Sequence, residues 1–209
     1  MSEKNVYEIM HMDRRVAKIN DSGQCKIYYK SFMPYNLYLE EAEDIETLVN
    51  NITNFNYWCA TRILTLDRKY AKEILNSIGM LQAVTDKERD KIALSYRCAS
   101  LTDVFWVKLK KEKISFRDIN LYENHLDNTF IDIALRGKQY TVQNEYLARD
   151  LSTNGCFPKA WQRMNDGFRL LKDGGSDAVE RELLASQICR CFNILQVLYE
   201  RDYFDGGKG

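Results

Sequence analysis

The sequence has no excess of charge of either sign. Lysine plus arginine and aspartate plus glutamate each total 30 of its 209 residues. That balance argues against non-specific nucleic-acid binding, which needs a concentrated positive face, although net charge leaves a local patch open. No apolar run approaches the roughly 20 residues of a membrane span. The opening MSEKNVYEIMHMD carries no apolar stretch of a secretory signal. The expectation is a soluble, cytoplasmic protein. There are two histidines, far apart, and no C-x-x-C pair among the six cysteines, so no structural zinc site is expected. Cys25, Cys59, Cys98 and Cys156 are scattered; Cys189 and Cys191 stand two apart on a predicted helix and so face different ways. All six are expected as reduced, mostly buried thiols. No G-x-S-x-G, H-E-x-x-H or Walker motif occurs, which leaves hydrolase and ATPase readings unsupported. Internal repeats and low-complexity segments are also missing.

What is present is material for a packed core, with 45% hydrophobic and 12% aromatic residues in a length that suits one large domain or two small ones. The stretches RVAKIN, DSG and QCKIYYK read as strand, tight turn and strand, with Gly23 in the turn and Pro34 at the exit. From Asp44 the period becomes helical, with Ile45, Leu48, Val49 and Ile52 behind an acidic start. Phe55, Trp58, Ile63 and Leu64 extend that apolar content toward a second helix. FNYWC, at 55–59, reads as core, with a docking surface as the alternative. RKYAKEILNSIG predicts a helix closed by Gly79. TDKERDKIALSYRCAS predicts another, with Thr85 and Glu88 as a capping box. VFWVKLKKEKISF predicts a strand around Trp106 and a charged loop, and NTFIDIALRG a short helix ending at Gly137. CFPKAWQRMNDGFRLLKDG predicts a hairpin turning at Asn165, Asp166 and Gly167. A helix is predicted from about Asp177 to Phe192, with Val179, Leu183, Leu184, Ile188 and Cys191 on its apolar side. QVLYERDYF predicts a last strand.

One constellation carries chemistry. In GFRLLKDGGSDAVERELLASQ, Lys172 stands on a strand, a Gly-Gly turn follows, and Glu180 and Glu182 open the next helix. Kinase-fold chemistry needs a strand cation for the nucleotide phosphates and a helix carboxylate to fix that cation. On spacing alone, an exposed strand lysine with two solvated glutamates is the commoner outcome. Ser152, Asn154 and Gly155, in STNG, can form a turn whose backbone N–H groups face phosphates, or only a turn. Two H-x-D triplets, His11–Asp13 and His125–Asp127, are decoys. A catalytic loop also needs Asn five residues after the Asp, where this chain has Lys18 and Asp132.

Three of these stretches resemble the HipA-like family of serine/threonine kinases, in the form found in gut-type Gram-positive bacteria. SLTDVFWVK with SFRDINLYENHL (100–126) is similar to the family's S-x-x-D-x-(Y/F)-W segment and its W-x-D-V-N-F-F-x-N continuation. DLSTNGCFPKAWQ (150–162) resembles its nucleotide loop, with serine, glycine and lysine recurring as Ser152, Gly155 and Lys159. FRLLKDGGS and ERELLAS resemble its nucleotide-lysine strand and following helix, with Glu182 at the family position and Glu180 as the second choice. Phe157 and Pro158 depart from the small, polar residues usual in that loop.

The resemblance implies an α+β fold in two parts. Residues 1–140 would form a β unit and helical subdomain, and residues 141–209 a kinase-like small lobe of hairpin, helix and strand. It implies cofactor-binding roles for Ser152, Asn154, Gly155, Lys159, Lys172 and Glu182, with Ser152 as an autophosphorylated loop serine that switches the kinase off. It covers only the family's N-terminal half, so catalytic residues and metal ligands are not expected. ATP with magnesium would engage only with a C-terminal lobe, and the ending DGGKG suggests an interrupted longer protein. A protein partner is expected, in a toxin–antitoxin setting. The alternative is a stand-alone protein-binding regulator, antitoxin-like or mobile-element-encoded, that keeps the lobe without catalysis.

Overall fold

The computed structural model describes residues 5–77, 86–123, 131, 133–135, 137, 153 and 155–202. The chain is α+β, as its patterning predicts. Strands β1 (Val6–His11), β2 (Arg14–Asn20), β3 (Cys25–Ile27) and β4 (Phe105–Leu109) form one antiparallel sheet in the order β3-β2-β1-β4. Strand β1 lies outside the sequence reading, which begins the sheet at β2. Helices α1 (Ile45–Thr61), α2 (Ala71–Ser77) and α3 (Asp86–Ser95) share one buried core with the sheet, and a short α4 (Phe116–Ile119) follows β4. A separate hairpin of β5 (Lys159–Met164) and β6 (Gly167–Lys172) leads into α5 (Ser176–Cys191).

Alternation in the sheet sorts its two faces. In register across it run Ile27, Ala17, Ile9 and Val107. Ile9, Ala17 and Val107 are buried in the main core with Phe55, Trp58 and Cys59 of α1. FNYWC is therefore core at these three positions, while its Tyr57 is exposed. The neighbouring row, Lys26, Lys18, Glu8 and Lys108, faces the other way. A register shift between Ile9 and Met10 marks a bulge in the β1–β2 pair.

Helix α1 begins where the sequence places it, with the Asp44 carboxylate accepting from the Thr47 N–H at 2.9 Å. The single helix runs to Thr61, and Ile63 and Leu64 are buried beyond its end rather than in a second helix. Gly23 has φ +82°, and a Cβ there would stand 2.0 Å from the Leu48 carbonyl oxygen. Only glycine lets the turn sit against α1. Asn51, buried on α1, locks that approach. Its Nδ2 donates to the carbonyls of Gly23 (3.0 Å) and Glu40 (2.8 Å), and its Oδ1 accepts from the Glu40 N–H (2.9 Å).

The motif residues of 100–123 serve structure. Asp103 accepts two hydrogen bonds from the Arg62 guanidinium at 2.6 and 2.7 Å. Trp106 donates from Nε1 to the Met12 carbonyl at 2.7 Å. Asn120 Oδ1 accepts from the N–H groups of Tyr122 and Glu123. Ser115 and Asp118 form a capping box on α4.

Three expectations are corrected. The tail from Asn193 to Asp202 carries no strand; its ladder groups meet no neighbouring strand, and a lone strand is not stable. The apolar side of α5 is largely open, with Leu184, Ile188 and Phe192 exposed and only Ser186 buried. Two of the six cysteines, Cys59 and Cys98, are buried; Cys156 and Cys191 are exposed. Burial, followed by the neighbouring Cys98, pushes the Cys59 thiol well up, so it stays a protonated, inert group. Gly79, Thr85, His125, Asp127 and the boundary at 140/141 lie outside the described residues. No helix among the described residues is long and apolar enough to cross a membrane.

Candidate functional site

The hairpin closes at Asn165 and Asp166, two turn-forming residues between strands whose register runs from Lys159↔Lys172 to Met164↔Gly167. That register sets two lysines directly opposite each other at the open end. Asp173 follows β6 and donates its N–H to the Pro158 carbonyl at 3.0 Å, which draws the two strand ends together. The Gly-Gly turn then reverses the chain into α5.

The strand–turn–helix spacing brings Lys172 and Glu182 together. Lys172 Nζ donates to both carboxylate oxygens of Glu182, at 3.0 and 2.8 Å. Glu180 instead accepts from Arg201 in the tail. The two glutamates therefore have different partners, and the lysine belongs to Glu182. Tyr199 places its ring 5.3 Å from Lys172 Nζ. Partial burial pulls the Lys172 ammonium down, but the Glu182 carboxylate and then Tyr199 more than offset it, so its pKa is raised.

Lys159 is the opposite case. Partial burial first, then the Lys172 and Arg68 charges, lower its pKa. The backbone of Gly155 passes over it. With φ +96° this residue is in glycine's own region, and a Cβ would stand 2.7 Å from Lys159 Nζ. The loop thus lies against the ammonium of a lysine that already faces two other cations.

Arg68 anchors this loop from behind. It is buried, and its guanidinium donates to the Thr153 carbonyl at 3.1 Å, to Thr153 Oγ1 and to the Lys159 carbonyl. Lys69 adds a backbone bond to the Cys156 carbonyl at 3.1 Å. Sequence reasoning missed Arg68, because no local pattern marks an arginine whose partners lie 85 and 91 residues away. Arg163 Nη2, donating to the Leu121 carbonyl, and the Tyr122–Phe168 ring contact fix the hairpin's other end.

Of the six site residues read from the sequence, Gly155, Lys159, Lys172 and Glu182 are gathered at one end of the hairpin. Ser152 and Asn154 lie outside the described residues. Among the described residues, Arg68, Lys159 and Lys172 and the Glu182 carboxylate meet beside the Gly155 turn, a grouping of charges suited to a polyanion. Of the decoy histidines, His11 packs edge-on against Phe32 and Phe105, at ring distances of 5.3 and 5.1 Å, which is a structural role. Among the described residues, no group of three or more His, Cys, Asp or Glu side chains could hold a metal ion. Comparisons with protein-family models, with curated proteins and with solved structures gave no match.

Proposed function

We propose that the hairpin and α5 form the phosphate-clamping part of a nucleotide site, in the N-terminal half of a HipA-like serine/threonine kinase. The observation that carries this reading is the Lys172–Glu182 pair. A strand lysine held at both oxygens of a helix carboxylate is what positions a cation for nucleotide phosphates. Lys159 and the Gly155 loop stand beside it. ATP phosphates, once bound, would be met by Lys172 and Lys159, with the loop backbone above them. Partial burial first, and then the Lys172 and Arg68 charges, lower the Lys159 pKa, and an incoming phosphate would relieve the like-charge part. The described residues offer cations for the phosphates but no carboxylate cluster for magnesium. The sequence carries neither H-x-D with its Asn nor a metal aspartate after Lys172. On this reading the chain alone binds ATP weakly and transfers no phosphate, and in the cell it works with a protein partner in the cytoplasm.

Chemical-shift mapping with millimolar Mg-ATP tests the proposal, since a millimolar dissociation constant corresponds to only about −4 kcal/mol. Perturbations are expected at Gly155, Lys159, Lys172 and Glu182 and should vanish in Lys172→Met. Perturbations confined to other surfaces, or none at all, would overturn it.

A second reading rests on a separate observation. Leu184, Ile188, Phe192, Leu195, Val197 and Leu198 are all exposed along α5 and the tail. Such a concentration of exposed apolar side chains in one segment suits a protein contact. It suits a stand-alone regulator that retains the lobe and acts by binding another protein. Loss of a pulled-down partner on Leu184→Asp and Leu195→Asp substitution, with Lys172→Met silent, would favour this reading over the first.

A further inference from the structure

The outer face of the four-stranded sheet carries a charge arrangement that the hairpin site does not explain. Lys18 on β2 and Lys26 on β3 are directly paired across the strands. Like charges directly opposite each other destabilise a sheet. Among the described residues, neither lysine makes a hydrogen bond or ion pair. The carboxylate placed to compensate them is Glu8, which sits opposite Lys18 on β1. Glu8 is committed elsewhere. Its Oε1 accepts from Arg15 Nη1 at 2.6 Å, and its Oε2 lies 3.6 Å from Lys108 Nζ. Among the described residues, Glu8 is thus engaged by Arg15 and Lys108 and offers neither oxygen to Lys18 or Lys26.

The exposed part of the group is also ordered in advance. The Tyr28 ring lies 4.3 Å from the Arg15 guanidinium carbon and 5.8 Å from Lys26 Nζ. One ring thus contacts both cations, which lowers the entropy cost of presenting them to a ligand. Arg15 and Lys26 are exposed and Lys18 is half-buried, so all three reach solvent along the β2–β3 edge.

The surroundings discriminate between anionic partners. Glu40, Glu41, Glu43, Asp44 and Glu46 form an acidic run beyond β3. Glu41 fixes that run to the edge by accepting from the Ile27 N–H at 2.6 Å. A long phosphodiester chain crossing the patch would meet this acidic rim. The protein's zero formal charge supplies no wider attraction for such a chain. A short acidic segment fits within the three cations and avoids the rim.

We propose that Arg15, Lys18 and Lys26, ordered around Tyr28, form a docking face for an acidic segment of a partner protein. This is independent of the nucleotide reading, because none of these residues belongs to the hairpin. The test is fluorescence anisotropy with a labelled Glu-Gly repeat peptide at low ionic strength, where screening is weakest. Binding is expected, and Lys18→Ala with Lys26→Ala should weaken it by about tenfold or more, close to 1.4 kcal/mol. The charge-reversed Lys18→Glu, Lys26→Glu protein should instead prefer a Lys-Gly repeat peptide. Lys172→Met should bind like the wild type. Absence of peptide binding, binding untouched by the double alanine variant, or tighter binding of a short oligothymidylate would each overturn the proposal. Thermal melts of both double variants establish that they are folded. The double alanine variant removes a like-charge pair and is expected to melt at or above the wild type, whereas charge reversal sets two carboxylates opposite each other and beside Glu8 and is expected to melt lower while remaining folded.

Discussion

Replacing Lys172 by methionine and Glu182 by glutamine, singly and together, isolates the ion pair at the centre of the proposed site. Its oxygens lie 3.0 and 2.8 Å from Nζ, and the side chains are 32% and 42% exposed. Unit charges about 4 Å apart gain about 1 kcal/mol in water and about 4 kcal/mol near a protein surface. Solvent around both groups and the entropy of fixing two long side chains remove most of that. The coupling should be about 1 kcal/mol or less. Its pH dependence has a definite sign. The folded-state pKa of Lys172 is raised, so the stabilisation is fully present below about pH 10.4, the unfolded value. It is lost as pH rises through the higher folded value. Urea unfolding followed by tryptophan fluorescence, with Trp161 on β5 as the local probe, gives the four free energies of the cycle. A coupling of about 3 kcal/mol or more, the range for breaking a buried pair, would refute the reasoning. Lys172 and Glu182 would then be a dry structural element rather than a clamp open to ligand.

Leu184→Ala, on the open side of α5, should change stability by about 0.5 kcal/mol or less, whereas Phe55→Ala in the core should cost about 3–5 kcal/mol; chemical denaturation ranks the two. Asn51→Ala leaves the Gly23 carbonyl and the Glu40 N–H without their partner, while the Glu40 carbonyl keeps the Ala42 N–H and the Cys25 thiol, and should cost about 2 kcal/mol or more, read as a fall in melting temperature. Lys159 carries a lowered pKa, so its charge opposes folding near neutral pH and the penalty is relieved as pH rises toward about 10.4. Lys159→Met should therefore melt above the wild type near neutral pH, with the difference narrowing in alkali. A radiolabelled-ATP assay on this chain alone should show no phosphate transfer, and incorporation that Lys172→Ala abolishes would contradict that expectation.

Where local chemistry decides local structure, the sequence was a good guide. The Asn-Asp-Gly turn, the Asp44 cap, the strand around Trp106 and the α5 boundaries all follow from residues within a few positions of each other. So does the Lys172–Glu182 meeting, because a strand end, a two-glycine reversal and one helical turn leave little freedom. Strand β1 was hidden because Glu8 is a buried acid, paired with Arg15 from β2 and Lys108 from β4, and its letters look like a polar surface segment. The α5 error came from the opposite assumption, that an amphipathic pattern must already have its covering layer. The tail erred alike: Val197, Leu198 and Tyr199 have strand-forming side chains, but a strand needs a ladder partner. Arg68 could not be found, since its role exists only after residues far apart in the chain have met.

The sheet order places β1 between β2 and β4, and this fixes a sequence of events during synthesis. The β1–β2–β3 meander and α1 are complete once residue 61 has emerged, yet β4 ends at Leu109. Until then one whole edge of β1 is unpaired. An open edge of that kind invites pairing with another chain, and closing it requires a contact spanning about a hundred residues, a slow event compared with forming local turns. Strand β4 is thus the gatekeeper of productive folding. Damage to its pairing residues, such as Val107 opposite Ile9, would appear first as aggregation of nascent chains rather than as a loss of affinity in the finished protein.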